Sequence, residues 1–398
     1  MKNSIIVSGD YLKFIQKIEQ YVLKNMWRGY DPYDGLNSYL FQITPFKHSP
    51  SFRLFWSGIV RILPFNIRPL LLIPKGINPK AISLFISSYS ELYSHLKERD
   101  FLLKVRFLLK LLDRAKISSY KGPSWGYNFP WQSKVLYAPL GMPNAICTTF
   151  AAQALLDFQE AIGSSEFTET VVRICDFLLN DLNKTITSEG ICFSYTPVDN
   201  LCVHNVNLWI AALLARVYLL TKNDSLLSQA EEAVKFTINH QNPDGSWFYG
   251  TGNKSLLYID NYHSGFNLVA LKQYIDYSGN SEYKEQLIKG YDYYRKTFFL
   301  PSGAPRYYHN KLFPADIHCC AQGIITHTVF GNLEEAEKIA NWTLEHMFDD
   351  KRGFFYYRKY PSYTIKIPFI RWGQSWMFYA LTKLLLAKSL LQNSGDSK

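Results

Sequence analysis

Residues Ser225–His240 (SLLSQAEEAVKFTINH), Gln241–Gly250 (QNPDGSWFYG) and Leu257–Tyr277 (LYIDNYHSGFNLVALKQYIDY) hold one complete structural repeat. The first segment spaces its apolar residues at helical intervals and keeps Glu231, Glu232 and Lys235 on the other side, as a half-buried helix does. Asn242-Pro243-Asp244-Gly245 then supplies turn chemistry, and Trp247 and Tyr249 follow it. From Phe266 to Tyr277 the chain is apolar on most sides with small residues interspersed, the signature of a fully buried helix.

The same order recurs on both sides. Glycine followed by aromatics appears at Gly126, Gly190, Gly245, Gly303 and Gly353, in steps of 64, 55, 58 and 50 residues. That spacing suits two helices and two loops, and repeats are the first thing to settle in a fold reading. Amphipathic helices are expected over 166–182, 225–240, 281–298 and 333–347. Buried ones are expected near 144–162, 204–220, 263–277, 318–329 and 372–390. Residues 8–25 and 80–117 are also helical in pattern, with a proline-rich stretch between them. The fold class is therefore all-α: an (α/α)6-type toroid of about six helical hairpins with short aromatic β-hairpin loops. One domain covers 1–392, with divergent hairpins in 1–118, clear repeats in 119–392 and a disordered tail at 393–398.

Polar residues cluster where the buried helices begin: Pro143-Asn144, His204-Asn205, Asp260 to His263, Asp316 to His318, and Arg371 to Trp376. In an alternating toroid these starts share one mouth, walled by the aromatic loops. That is a concave site with a few convergent polar groups. Asp260, His263, Asp316, His318 and His204 are the candidate acid–base groups. Arg371, Asn205, Asn144, Trp125, Trp131, Tyr195, Trp247, Tyr249, Tyr307, Trp372 and Gln374 are the candidate substrate contacts. Asp260 and Asp316 also stand where a carboxylate caps a helix.

Aromatic residues make up 16% of the 398-residue chain, and rings lining a cleft stack on sugar faces. The net charge of +10 favours an anionic partner, either an acidic glycan or a lipid-linked glycan. The basic residues are scattered without a recognition motif, which sets nucleic acid aside. HExxH, GxSxG, P-loop and dinucleotide fingerprints are missing, so no metal or cofactor is expected. Six cysteines without zinc-ligand spacing read as free thiols of a reducing compartment. The start, MKNSIIVSGDYLKF, lacks a secretory apolar run, which points to the cytoplasm. Phe52–Pro74 is apolar but carries Arg53, Arg61, Arg68, Pro64 and Pro69, so it should not span a bilayer. It reads either as a buried hairpin or as a surface stretch contacting the inner face of an anionic membrane or its glycosyltransferases.

Leu257–Leu268 resembles the six-hairpin glycosidase superfamily. Its unsaturated glucuronyl hydrolase branch carries an Ile-Asp followed by an Asn-Leu on an inner helix, with that aspartate as acid/base. Ile259-Asp260 and Asn267-Leu268 match it with a longer spacer, which implies that role for Asp260. Over roughly residues 120–390 the chain is also similar to bacterial proteins of surface-polysaccharide biosynthesis. The shared blocks are VHNVNLW (203–209), DGSWFYG (244–250), IDNYHSGF (259–266), FPADIH (313–318) and RWGQSWMFYAL (371–381). Gln241 to Trp247 resembles the repeat element of squalene and terpenoid cyclases, but their Asp-x-Asp-Asp acid is missing here. The resemblances imply a glycan-active enzyme working by hydrolysis, elimination or C5-epimerisation of a uronate. The alternatives are a non-catalytic glycan-binding protein of an assembly complex and a cyclase-like toroid.

Overall fold

A computed structural model describes residues 8–395. Its helices are α1 (Ser8–Lys24), α2 (Tyr39–Gln42), α3 (Pro50–Ile62), α4 (Pro79–Leu96), α5 (Arg99–Arg114), α6 (Ala145–Ala161) and α7 (Thr168–Asn180). They continue as α8 (His204–Thr221), α9 (Asp224–Asn239), α10 (Asn261–Ser278), α11 (Lys284–Thr297), α12 (Ile317–Val329), α13 (Leu333–Met347) and α14 (Ser375–Gly395). Strands are short, mostly pairs of two residues, with Lys184–Thr187 against Gly190–Phe193 the longest. Helix α14 runs through Gly395, so the expected tail at 393–398 begins as helix; its last three residues lie outside the described ones.

Helices α4, α6, α8, α10, α12 and α14 pack in that order, and α14 returns to α4 to close an inner ring. They are the helices that are apolar on every side; α8 is buried without interruption from His204 to Val217. The outer ring uses one face only. In α9, Leu226, Ala230, Ala233, Val234 and Thr237 turn inward while Glu231 and Lys235 face solvent. Helix α1 packs on α14 and completes the outer ring from the opposite end of the chain.

Glycines link each loop to the next outer helix. A methyl group at Gly190, Gly245, Gly303 or Gly353 would strike the backbone carbonyl of Glu232, Lys289, Lys338 or Lys17 respectively, on α9, α11, α13 and α1. All four also have positive φ, where only glycine is at ease. Gly353 therefore seats the last loop on the first helix. The earliest member of the series is Gly122, against Arg173 of α7, and not Gly126, which abuts Met142 in the neighbouring loop. The aromatics after Gly126 had suggested otherwise. Toward α5 no glycine is used; Trp27 packs on Phe107 with ring centroids 5.3 Å apart.

Between α1 and α4 an insertion folds over the mouth. Arg68 is fully buried, bonded to Asp34 at 2.7 Å and to the carbonyl of Asp31 at 2.9 Å. Asp31 takes Arg371 in a two-pronged pair at 2.6 and 2.7 Å, which ties the insertion to the start of α14. The stretch 52–74 is neither a buried hairpin nor a face of exposed arginines. Its arginines turn inward, Arg53 onto Gln132 and Arg68 onto Asp34, while Phe52, Phe55, Phe65, Leu70 and Leu72 face outward. A guanidinium finds its hydrogen-bond partners inside, and the rings are left on the outer side.

Candidate active site at the mouth of the toroid

The chamber at the centre of the mouth is a small concave space of about 130 Å³ in which several polar groups converge. Its floor follows one rule. The N-cap residues of the six inner-helix starts are Asn78, Asn144, Val203, Asp260, Asp316 and Phe369, the last preceding a π-turn over Ile370–Gln374 that leads into α14. Two residues after each cap stand Lys80, Ile146, Asn205, Tyr262, His318 and Arg371, and all six line the chamber. Successive helical residues point about 100° apart, so the position after the cap turns between helices and the second position turns to the axis.

His263 adds a seventh group, one residue further along α10. The Asp260 carboxylate accepts its backbone N–H at 2.9 Å and its Nδ1–H at 2.8 Å. Both carboxylate oxygens are thus committed to His263, and the side chain of Asp260 is only 1% exposed. A carboxylate accepts only, so Nδ1 carries a proton, and in the neutral imidazole the lone pair lies on Nε2. The hydrolase resemblance implied an acid/base at Asp260; in the structure its carboxylate caps α10 and orients His263.

His318 is buried against Tyr262, Trp372 and Trp376, and neither of its ring nitrogens has a protein partner. Burial, with Lys80 and Arg371 close by, holds its pKa well below the usual histidine value, so it is a neutral imidazole with one donor and one acceptor. The Oδ1 of Asn205 is likewise buried and unpartnered. Lys80 is 3% exposed, and burial followed by the Arg371 charge lowers its pKa to about 7.

The walls are tyrosine-rich. Tyr127, Phe129, Trp131, Tyr195, Tyr249, Tyr258 and Tyr33 surround the chamber, and the Tyr127 and Tyr195 hydroxyls bond at 2.8 Å. A vestibule lined by Tyr307, Tyr308, Arg61 and Lys134 shares five of these aromatic residues, together with Tyr262, and continues the cleft outward. Among the described residues, no acidic side chain lines chamber or vestibule.

Of the residues expected from the sequence, His263, His318, Asn205, Arg371, Trp131, Tyr195, Tyr249 and Trp372 meet in the chamber, and Tyr307 in the vestibule. The others have structural work instead. Asp316 is fully buried, accepting from Arg358 at 2.5 Å, Trp372 Nε1 at 2.8 Å and the His318 backbone at 2.9 Å. His204 occupies the first position of α8 and packs beside Phe236 and His240, where burial lowers its pKa to about 3. Asn144 caps α6 through the Cys147 amide. Trp125 and Trp247 donate to the carbonyls of Leu112 and Thr237, and Gln374 clamps both backbone groups of Phe355. Lys80, Tyr262 and Tyr33 escaped the sequence reading; Asn78-Pro79-Lys80 carried the signal for the first, as a cap followed two residues later by a charged group.

No protein-family model matches the chain, and no curated protein matches it in sequence. Solved structures do match in shape. Cellobiose 2-epimerase from Bacillus thermoamylovorans B4167 superposes with a TM-score of 0.67 at 12% identity, covering 96% of this chain and 100% of that one. The chain has the (α/α)6 toroid fold. D-mannose isomerase gives a TM-score of 0.65 at 11% identity over 98% of this chain and 100% of its own. A glycosyl hydrolase of family 88 from Bacteroides vulgatus gives 0.59 at 10% over 96% and 99%. At these identities the likeness is one of fold, the six-hairpin architecture expected from the repeats.

Proposed function

We propose that the cleft is the active site of a carbohydrate-active enzyme that takes a proton from a sugar carbon, with His263 as the base. The observation that carries this is the Asp260–His263 pair in a chamber without any lining carboxylate. Glycoside hydrolysis ordinarily needs two carboxyl groups flanking the scissile bond, and both candidates, Asp260 and Asp316, are turned away and saturated. Proton abstraction needs a poised base and something to hold the developing negative charge. His263 Nε2 supplies the first, and the basic and phenolic groups around it supply the second. Next to a carboxylate, as at C5 of a uronate, the result is epimerisation if a proton is returned to the opposite face and elimination if a leaving group departs. The +10 net charge and the basic lining support an acidic sugar. Neutral His318 and Asn205 are suited to reading hydroxyl groups.

The test is incubation in heavy water with a panel of uronate-containing oligosaccharides. Deuterium enters the product on epimerisation, and a new ultraviolet absorbance marks elimination. His263→Gln should abolish both. Binding without any turnover in the wild type would turn the reading toward a glycan-binding protein.

A separate observation supports a membrane partner. From Gly35 to Ser90 the sequence has no acidic residue, and the insertion, which carries the vestibule residue Arg61, exposes Ile43, Phe52, Phe55, Phe65, Leu70 and Leu72. No helix among the described residues is long and apolar enough to cross a membrane. We propose that this face rests on an anionic bilayer surface, at the inner side of the cell membrane, and presents the cleft to a lipid-linked acidic glycan.

A further inference from the structure

Four basic side chains are buried among the described residues: Arg68, Lys80, Arg216 and Arg371. Three have carboxylate partners. Arg68 holds Asp34, Arg216 holds Asp157 and Glu160, and Arg371 holds Asp31. Lys80 forms no ion pair with any described carboxylate. Its ammonium sits 4.5 Å from the ring centre of Phe150, 5.0 Å from Trp376 and 5.1 Å from Phe266, a seat of aromatic faces from three inner helices. Such a seat holds a cation but does not neutralise it. An uncompensated buried charge is among the more costly features a fold can carry.

Its position gives the reason for keeping it. Lys80 belongs to the axial ring and lines the chamber with His263, His318 and Asn205. Arg371, the group that the sequence suggested for gripping an anion, has its charge spent on Asp31 through two hydrogen bonds. We propose that Lys80 is the receptor for a carboxylate on the substrate, so that the sugar ring entering the chamber is a uronic acid. One ammonium matches one carboxylate in charge, and the incoming anion supplies the partner that the fold withholds. The inference rests on the cleft being a carbohydrate site, and it replaces Arg371 by Lys80 as the residue that selects acidic sugars.

Protonation couples to this step. The charged groups that bear on Lys80 are Arg371, which disfavours its ammonium, and Asp31, which favours it; the Cys147 thiol and the neutral His318 also face it. With its pKa about 7, Lys80 is largely neutral at pH 8. A bound carboxylate restores the ammonium, so uronate binding takes up a proton there.

The experiment compares glucuronate and galacturonate with glucose and galactose by titration calorimetry at pH 8, in two buffers of different ionisation enthalpy. In the wild type, uronates should bind at least tenfold more tightly than the neutral sugars, with close to one proton taken up. Lys80→Met, which keeps an unbranched chain and removes the charge, should abolish the preference and the uptake. Should that variant fail to fold, Lys80→Gln takes its place, and it too should lose the preference for uronates. A preference retained in Lys80→Met, or equal binding of uronates and neutral sugars by the wild type, would overturn the assignment. Failure of the carbohydrate reading itself looks different: no sugar of either kind would bind, and His263→Gln would change nothing.

Discussion

Asp260 Oδ2 accepts the Nδ1–H of His263 at 2.8 Å, across the first turn of α10. The carboxylate that caps the helix through Oδ1 therefore also sets the tautomer of the imidazole above it. Asp260→Asn separates the two roles. Asparagine caps a helix as well as aspartate, so the melting temperature should move by no more than a few degrees. Its amide, with Oδ1 kept for the cap, offers a donor to Nδ1, which moves the imidazole proton to Nε2 and removes the base. Turnover should fall about a hundredfold or more. Steady-state rates measured beside a melting curve check this, and unchanged turnover would leave Asp260 with the cap alone.

Asp316 occupies the matching position on α12 and predicts the opposite phenotype. Its oxygens hold Arg358, Trp372 Nε1 and the His318 amide in a fully buried cluster. Asp316→Asn keeps the cap but strands the Arg358 guanidinium, whose side chain is only 11% exposed. Removing one member of a buried pair costs about 3–5 kcal/mol. Denaturant titration should show a loss of that size. Activity per folded molecule should drop far less than in Asp260→Asn, because Asp316 does not line the chamber.

The ring and its mouth were legible for a simple reason. Helices buried on all sides, such as α8, cannot be mistaken for surface ones, and they alternate with half-charged ones such as α9. Rotation about each helix was harder to read. His204 and His318 both open inner helices, yet one is at the first position and packs outward while the other is at the second and faces the axis. A single residue changes the direction by about 100°. Resemblance led to Asp260, while the histidine it orients stood three residues on. Lys80 was missed because the divergent N-terminal hairpin lacks the aromatic loop that marks the others. The inward turn of Arg68 depended on Asp34, a partner 34 residues away.

Buried neutral histidines predict acid sensitivity. His204 has its pKa lowered to about 3 by burial and by the His240 charge, and His327 to about 4 by burial. Both would titrate near 6.5 in the unfolded chain. Between pH 6.5 and the folded values the unfolded state binds more protons, so stability falls as pH falls. The loss is of the order of a few kcal/mol across that window at about 1.4 kcal/mol per pKa unit. Melting temperatures should decline steadily from pH 6.5 to 4. His204→Phe, which keeps an aromatic ring beside Phe236, should flatten part of that slope. A variant whose slope equals that of the wild type would show that other groups govern it.

The exposed face of the insertion gives the last prediction. Phe55, Phe65 and Leu70 are 63%, 62% and 78% exposed, and inserting each into the boundary of a bilayer would contribute up to about 1.5–3 kcal/mol. Truncating all three to serine should therefore reduce vesicle binding by far more than tenfold, since about 1.4 kcal/mol is a factor of ten. The fold should survive, because the insertion is held through Arg68–Asp34 and Asp31–Arg371 and not through these side chains. Flotation with phosphatidylglycerol vesicles measures the effect, and phosphatidylcholine vesicles should bind more weakly because the segment from Gly35 to Ser90 carries only basic charge. Sugar binding in solution should be the same for both proteins. Wild type that stays at the bottom of the gradient with anionic vesicles, or a triple variant that floats as well as the wild type, would remove the membrane from the account and leave the apolar face without that role.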